Sequence, residues 1–301
     1  MTHKIFESSD TNVKKFVFEK QPERGVQGIA VEAVLYRYIS YKERTVICCS
    51  TQCGCPVGCV FCGTGRFFVR NLTADEIVEQ VITVMGSVDC PHEEIKKFQI
   101  MFMSMGEPFL NYDNTEHAIK KLAKLYPNAQ LLVSTSGPSK QTAFYFDRFT
   151  ALCEDYEQIG IQFSVHESTD KARAKLIPTS SLTLNSIGEL GEKWAIATRR
   201  RPFFNYCVHN ENCNSGDVRA LLCNFDPHVW ECTLSVICEK DNTMQNTIIQ
   251  KLELVNAFAD KMAEAGYSLR VFNPAGQDDI GGGCGQLWYF QKWLANSSKK
   301  Q

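Results

Sequence analysis

Short apolar runs and longer amphipathic stretches take turns along most of the chain. The segments FQIMFMS (98–104), QLLVS (130–134), IGIQFS (159–164) and FFNYCV (203–208), with 231–237 and 267–272, have strand length. Several are apolar at successive positions, as strands buried on both faces are. Between them, 112–125, 140–152, 182–197, 217–223 and 244–265 carry helical periodicity. An earlier helix over 74–85 has a marked start, because Thr73 and Glu76 stand at capping-box spacing and Ile77, Val78, Val81, Ile82 and Met85 fall on one face. Strand and helix in strict turn predict parallel strands joined by right-handed crossovers. Six or so such units predict an α/β fold, a partial (β/α)6 barrel open enough on one side to admit a large substrate.

Upstream, VEAVLYRYISY (31–41) alternates and is rich in β-branched and aromatic residues, which predicts a strand or hairpin. RTVIC (44–48) reads as the first barrel strand, whereas 1–29 is polar and weakly patterned. The expected organisation is a short N-terminal β extension (1–43), the barrel (44–273) and a C-terminal loop with its tail (274–301).

Composition narrows the function. At 301 residues with 44% hydrophobic content, one α/β barrel fills a sizeable core. A net charge of −2 supplies no global field for a polyanion, so any nucleic-acid contact must be local. The candidates are the run Arg199-Arg200-Arg201, and Arg66 and Arg70 beside Phe67 and Phe68. The N-terminus has no apolar signal-like run and nowhere are there eighteen consecutive apolar residues, so a soluble cytoplasmic protein with no membrane partner is expected. In that compartment fourteen cysteines point to ligands, reactive thiols and buried side chains rather than disulfides.

Six of those cysteines fall within fifteen positions of the stretch CCSTQCGCPVGCVFCGTGRFF (48–68). Cys55, Cys59 and Cys62 have the spacing Cys-x3-Cys-x2-Cys, with glycines at 54, 58, 63 and 65. A glycine-relieved loop of this kind brings three thiolates to one small inorganic group. Three ligands suit a [4Fe-4S] cluster with one open iron, and the known partner of this spacing is S-adenosylmethionine (SAM). Zinc, which usually takes four closed ligands, and plain buried thiols are the other readings. Against zinc, the Cys-x2-Cys pair occurs once in this stretch with no matching second pair after it.

Beyond this loop, NLT (71–73), MGEP (105–108), STSG (134–137) and GGCGQL (282–287) follow in an order that, with Cys48 and the three-cysteine motif, resembles the RlmN/Cfr family of radical SAM methyltransferases, enzymes that methylate adenine carbons of RNA. The similarity runs from about residue 31 to 287. It implies Cys55, Cys59 and Cys62 as ligands of a [4Fe-4S] cluster. It implies SAM contacts from Gly106 and Glu107, from Ser134 and Ser136, and from Ser164 and His166. Read by themselves, Glu107 is an N-capping carboxylate in a turn, STSG a strand-ending turn and His166 a satisfied structural histidine.

The resemblance further implies that Cys284 carries the methyl group and that Cys48 is the second reactive cysteine. The amidine carbon of adenine is electron-poor and no nucleophile, so radical chemistry is needed. One SAM would methylate Cys284 and a second would be cleaved reductively to activate that methyl group, making two SAM per turnover. Cys48 would then resolve the covalent adduct by forming a disulfide, best done by an accessible thiol with some thiolate character. Glu32 matches a family glutamate near the proton-removal step, though three extra residues separate it from Cys48; read alone it is an exposed strand glutamate. Ribosomal or transfer RNA, and an electron donor such as flavodoxin or ferredoxin, are the implied partners.

Three departures bear on substrate. The chain begins near where the family's catalytic part begins, so the accessory RNA-gripping domain is expected to be absent. The family's Arg before Gly-Asp-Asp-Ile is replaced in Asn273-Pro274-Ala275-Gly276-Gln277-Asp278-Asp279-Ile280, and its NPF segment falls near Glu239-Lys240-Asp241. The same transfer to a smaller RNA, a nucleotide or another molecule is therefore a second expectation. A non-methylating radical SAM enzyme and a non-catalytic zinc-containing RNA-binding protein are alternatives of other kinds.

Overall fold

The computed structural model describes residues 1–23, 27–65, 67–236, 247–272 and 280–281, with backbone alone at 247–250. The chain opens with β1 (Thr2–Glu7), β2 (Val13–Lys20), β3 (Ile29–Tyr38) and β4 (Ser40–Cys49), a run of antiparallel neighbours. A small antiparallel pair, β5 (Gln52–Gly54) and β6 (Phe68–Asn71), brackets the cysteine loop. Then come α1 (Ala74–Met85), β7 (Lys97–Phe102), α2 (Tyr112–Leu125), β8 (Ala129–Thr135), α3 (Ser139–Asp155) and β9 (Ile159–Ser164). They are followed by α4 (Asp170–Leu176), α5 (Leu184–Thr198), β10 (Phe203–Val208), α6 (Ser215–Leu222), β11 (Glu231–Val236), α7 (Thr247–Glu264) and β12 (Ser268–Val271).

One ten-stranded sheet carries this chain in the order β1-β2-β3-β4-β7-β8-β9-β10-β11-β12, parallel from β4 to β12. The six βα units expected from the pattern are therefore present, from β4–α1 to β11–α7, with β12 as a closing strand. The first helix starts as its sequence says: Thr73 accepts from the Glu76 backbone and Glu76 accepts from the Thr73 backbone. Helical side chains such as Ile77, Val81, Phe149 and Trp194 pack on the outer face of the sheet among wholly buried strand residues. No described helix is long and apolar enough to cross a membrane.

The N-terminal extension is β as expected, and the weakly patterned stretch 1–29 already holds two of its strands, β1 and β2. In β2, Val13, Phe16, Val17 and Phe18 are buried together with the charged Lys15. A buried lysine on a two-sided strand hides both the alternation and the apolar run by which strands are recognised. The hairpin β3–β4 is tight, with Ile39 between the strands in the left-handed region (φ 70°).

Residues from β3 (Val34, Tyr36, Tyr38) and from β12 (Arg270) line one cavity of about 210 Å³, although these strands stand far apart in the sheet order. Alternate side chains of a strand share a face, so the sheet curls around this space and presents alternate residues of β4, β7, β8, β9, β10 and β11 to it.

Candidate active site

At one end of the cavity lies the loop after β4. Its three thiols, Cys55, Cys59 and Cys62, line the cavity wall. The loop is pinned by Cys55 N–H donating to the Phe67 carbonyl (2.6 Å) and by the turn in which Cys62 N–H donates to the Cys59 carbonyl (3.1 Å). Gly65 presses so closely on the loop that a Cβ there would meet the Cys59 carbonyl oxygen at 2.7 Å. Burial pushes the Cys55 thiol up, and the Cys59 thiol to about 12. Among the described residues no three metal-binding side chains converge as a single-ion site.

Across the cavity, the MGEP and STSG segments are joined through one side chain. Glu107 Oε1 accepts from Thr135 Oγ1 (2.7 Å) and Phe109 N–H (3.1 Å), and Oε2 accepts from Ser136 N–H and Oγ (both 2.8 Å). A carboxylate has about four lone-pair sites, so protein donors fill them. Glu107 is thus an N-capping carboxylate and also the clamp between the ends of β7 and β8. Despite these donors, burial raises its pKa. Gly106 gives Glu107 its approach: its φ is +97°, and a Cβ there would sit 2.7 Å from Gln52 N. Gln52 Oε1 in turn accepts from Glu107 N–H (2.8 Å).

Ser134, Ser136, Ser164 and His166 all line the cavity, together with Asn205, Thr233 and Ser235 from the later strands. His166 takes a left-handed backbone (φ 63°), held by its N–H on the Asn205 carbonyl and its own carbonyl under Asn212 Nδ2. Burial, and then the Arg173 charge, depress its pKa to about 3, so the ring is neutral. Its Nδ1 is buried and has no hydrogen-bond partner among the described residues, which is how a buried polar atom awaiting a ligand looks.

Cys48 projects into the same cavity from β4, next to Val34 on β3 and Met101 on β7 by register. It is buried, and burial pushes its thiol to about 12. The accessible, partly ionised thiol expected of a resolving cysteine is not what this fold presents. Cys49 and Cys53 are packed in the core: Cys49 faces the opposite side of β4, and Cys53 Sγ points at the Ala30 carbonyl (3.3 Å). Glu32 is not an exposed strand glutamate. It is wholly buried, with the Lys15 ammonium 3.2 Å from its carboxylate.

Other expected groups separate. Arg200 donates to the carbonyls of Cys153, Glu157 and Ile159, and Arg201 to those of Pro227 and Trp230. Arg70 makes a two-pronged bond to Glu76 (2.8 Å each). These three cations hold the fold together rather than wait for phosphate. Cys284, Arg66 and the 239–241 segment lie outside the described residues.

Known proteins resemble this chain in sequence and in fold. Residues 49–187 match the model of the Radical SAM superfamily. A Heliobacterium modesticaldum protein named "Probable dual-specificity RNA methyltransferase RlmN" is 33% identical over 280 residues, covering 89% of this chain and 70% of that protein. The chain belongs to the RlmN family of radical SAM methyltransferases. A Thermus thermophilus protein of the same printed name is 31% identical, covering 94% of this chain and 76% of its own. The crystal structure of a radical SAM methyltransferase from Sphaerobacter thermophilus superposes with a TM-score of 0.73 at 26% identity, covering 95% of this chain and 80% of that one.

An RlmN-family enzyme is a SAM-dependent methyltransferase, and the family implies a [4Fe-4S] cluster and SAM. The residues present fit both. Three soft sulfur donors share one loop on the cavity wall, where a cationic iron–sulfur core would stabilise thiolates that burial alone disfavours. The unpartnered His166 Nδ1 and the hydroxyls of Ser134 and Ser164 face the same space.

Sequence reasoning missed Arg173. Its buried guanidinium donates to the carbonyls of Ser136 (2.6 Å), Ser164 (2.9 Å) and Leu182 (3.0 Å), tying together the ends of β8 and β9 from which cavity-lining serines project. Burial lowers its pKa to about 10. Its partners are backbone atoms, which leave no residue pattern to read.

Proposed function

We propose that this enzyme methylates an electron-poor adenine carbon of RNA, C2 or C8, with Cys284 as methyl carrier and Cys48 as the thiol that frees the product. The observation that carries this reading is Cys48 itself, a cysteine on the inner face of β4 that shares a cavity with Cys55, Cys59, Cys62 and the Glu107–Ser136 clamp. A thiol on that inner face, lining the same space as the cysteine loop, is what a two-cysteine reaction requires.

Cys55, Cys59 and Cys62 would hold the cluster, and Gly106, Ser134, Ser136, Ser164 and His166 would hold SAM, with Glu107, its acceptor sites taken by Thr135, Ser136 and Phe109, fixing the strand ends that carry them. When bound, these groups supply the methyl group and the one-electron chemistry that an amidine carbon demands. Two SAM per turnover and a small electron-transfer protein such as flavodoxin or ferredoxin belong to this proposal. Within the chain, burial keeps Cys48 protonated and unreactive until substrate is joined to Cys284. Once its proton is given up, its thiolate attacks the Cys284 sulfur: the sulfur–sulfur bond forms as the Cys284 sulfur–carbon bond breaks, and the electron pair leaves with the methylene carbon, which takes a proton to become the product's methyl group. Glu32, two residues along β3 from the register partner of Cys48, is the candidate to take the ring proton.

The test is mass spectrometry of RNA nucleosides from cells with and without the gene, with loss of one methyladenosine expected; an unchanged profile counts against RNA. Cys284→Ala is expected to stop methyl transfer while SAM cleavage persists. A second reading, transfer to a small RNA or a nucleotide, draws support from the internal bonding of Arg70, Arg200 and Arg201. Equal turnover of a short oligonucleotide and a full-length RNA would favour it.

A further inference from the structure

The cavity has a second end. Among the described residues, its charged lining is Glu107 at the thiol end, with acceptor positions filled, and Arg44 and Arg270. Arg44 stands four strand residues from Cys48, about 13 Å along β4. Around it the lining is aromatic and thioether: Tyr36, Tyr38, Met101, Met103 and Phe272.

Neither guanidinium has a carboxylate partner among the described residues. Arg44 lies over the Tyr38 ring at 4.3 Å and gives Nε and Nη2 to Gln99 Oε1 (3.2 and 3.0 Å), an uncharged acceptor. Arg270 lies over the Phe203 ring at 5.8 Å. Glu231, two positions along β11 from the register partner of Arg270, pairs with Arg201 instead (3.7 Å). Lys97, the register partner of Arg44, adds a third positive group. Burial and then the charges of Arg44 and Arg270 depress its ammonium, and burial with the Arg270 charge depresses Arg44. Like charges set together with no counter-charge destabilise one another unless an anion joins them.

We infer that Arg44 and Arg270 form an anion subsite at the far end of the cavity, taking the phosphate ester of the adenosine whose base is directed toward Cys48. The inference rests on the adenine reading above and adds to it how the substrate is held: base among the apolar side chains, phosphate at the guanidiniums. Arginine suits this because its planar fork matches a phosphate's oxygens. The phosphate comes either from a nucleotide within RNA or from a free nucleotide.

The experiment compares adenosine with adenosine 5′-monophosphate by equilibrium titration of the iron-loaded enzyme, and repeats the titration with a short adenine-containing RNA. Wild type should prefer the monophosphate about ten-fold or more, as bonds to charged groups allow. Arg44→Gln with Arg270→Gln should erase that preference and leave adenosine affinity in place. The same pair should reduce the salt dependence of RNA binding by about 0.7 in log–log slope for each arginine. Should the glutamine pair not fold, Arg44→Lys and wild type alone suffice. The lysine variant, which keeps the charge but loses the fork, should lose part of the preference, and in wild type the preference should shrink with added salt. A wild type that binds adenosine and its monophosphate equally overturns the subsite. So does a double variant that loses SAM affinity but keeps the monophosphate preference. An enzyme that selects the monophosphate through these arginines yet binds no RNA keeps the subsite and removes the RNA reading. RNA binding unchanged in the double variant does the reverse.

Discussion

The Lys15 ammonium lies 3.2 Å from the Glu32 carboxylate, and both side chains are almost wholly buried, at 2% and 0% exposure. They sit on the cavity face of neighbouring strands, since Lys15 is the register partner of Val34 and Val34 that of Cys48. The same ammonium donates to the Gly281 carbonyl (3.4 Å), three residues before Cys284. Removing one member of a buried pair strands the other, at a cost of about 3–5 kcal/mol, whereas replacing both with apolar groups is often neutral. Lys15→Met should therefore destabilise strongly in urea, and Lys15→Met with Glu32→Leu should recover most of the loss. Equal losses in the single and double variants would show that the two do not act as a unit.

The cysteine loop separates ligands from packing. Cys55→Ala should abolish iron binding, whereas Cys53→Ala, which removes a buried thiol pointing at the Ala30 carbonyl, should keep iron and lose only about 1 kcal/mol of stability. Iron analysis after anaerobic purification separates the two. A Cys53→Ala protein without iron would mean that the loop is ligated differently.

Glu107 joins two strand ends through four donors. Glu107→Gln puts an amide N–H₂ against donors and leaves at least one of them unpaired, a cost of about 1–3 kcal/mol. We expect lower thermal stability together with a rise in the SAM dissociation constant, measured by titration. A variant with wild-type SAM affinity would restrict Glu107 to a structural role.

Much of this was legible beforehand, and the reason is local. β9 and β10 fall where their apolar runs do, and α2 spans the stretch its periodicity marks. The cysteine loop is readable because its donors are close in sequence. What escaped reading depends on distant partners. β2 was hidden by Lys15, polar in sequence but paired with Glu32 in space. Arg200 and Arg201 read as a free basic run because carbonyl acceptors leave no trace in residue type. Glu107 and Ser136 each stand in a motif of the sequence, but their bond to one another exists only because β7 and β8 lie side by side.

Acid should find the start of α1 first. Burial works to raise the Glu76 carboxyl, but Arg70, the Thr73 N–H and Lys20 outweigh it and hold it at about 2 against an ordinary 4.5. A carboxyl depressed in the fold contributes stability that is complete above 4.5 and is lost as the pH falls from there toward 2. With solvent screening, about 1–2 kcal/mol is at stake. In urea titrations from pH 6 to pH 3, Glu76→Gln should show a flatter pH dependence than wild type, by about that amount. Parallel curves would assign the acid sensitivity elsewhere.

Under the proposed reaction, burial of Cys48 would set the order of events at the active site. Its thiol is pushed to about 12, whereas Cys223 is exposed at the surface. At pH near 8 a thiol of this kind is almost wholly protonated, and the thiolate is the nucleophile. In the substrate-free, iron-loaded enzyme iodoacetamide should label Cys223 well before Cys48, read by peptide mass spectrometry. Under the proposed reaction, Cys48→Ser leaves a hydroxyl that cannot complete the disulfide, so no methylated product is released and substrate stays joined to Cys284. Mass spectrometry of the protein after turnover reads the adduct directly. Wild-type yields of free product from Cys48→Ser would remove Cys48 from the reaction and leave it as one more buried thiol of the barrel wall.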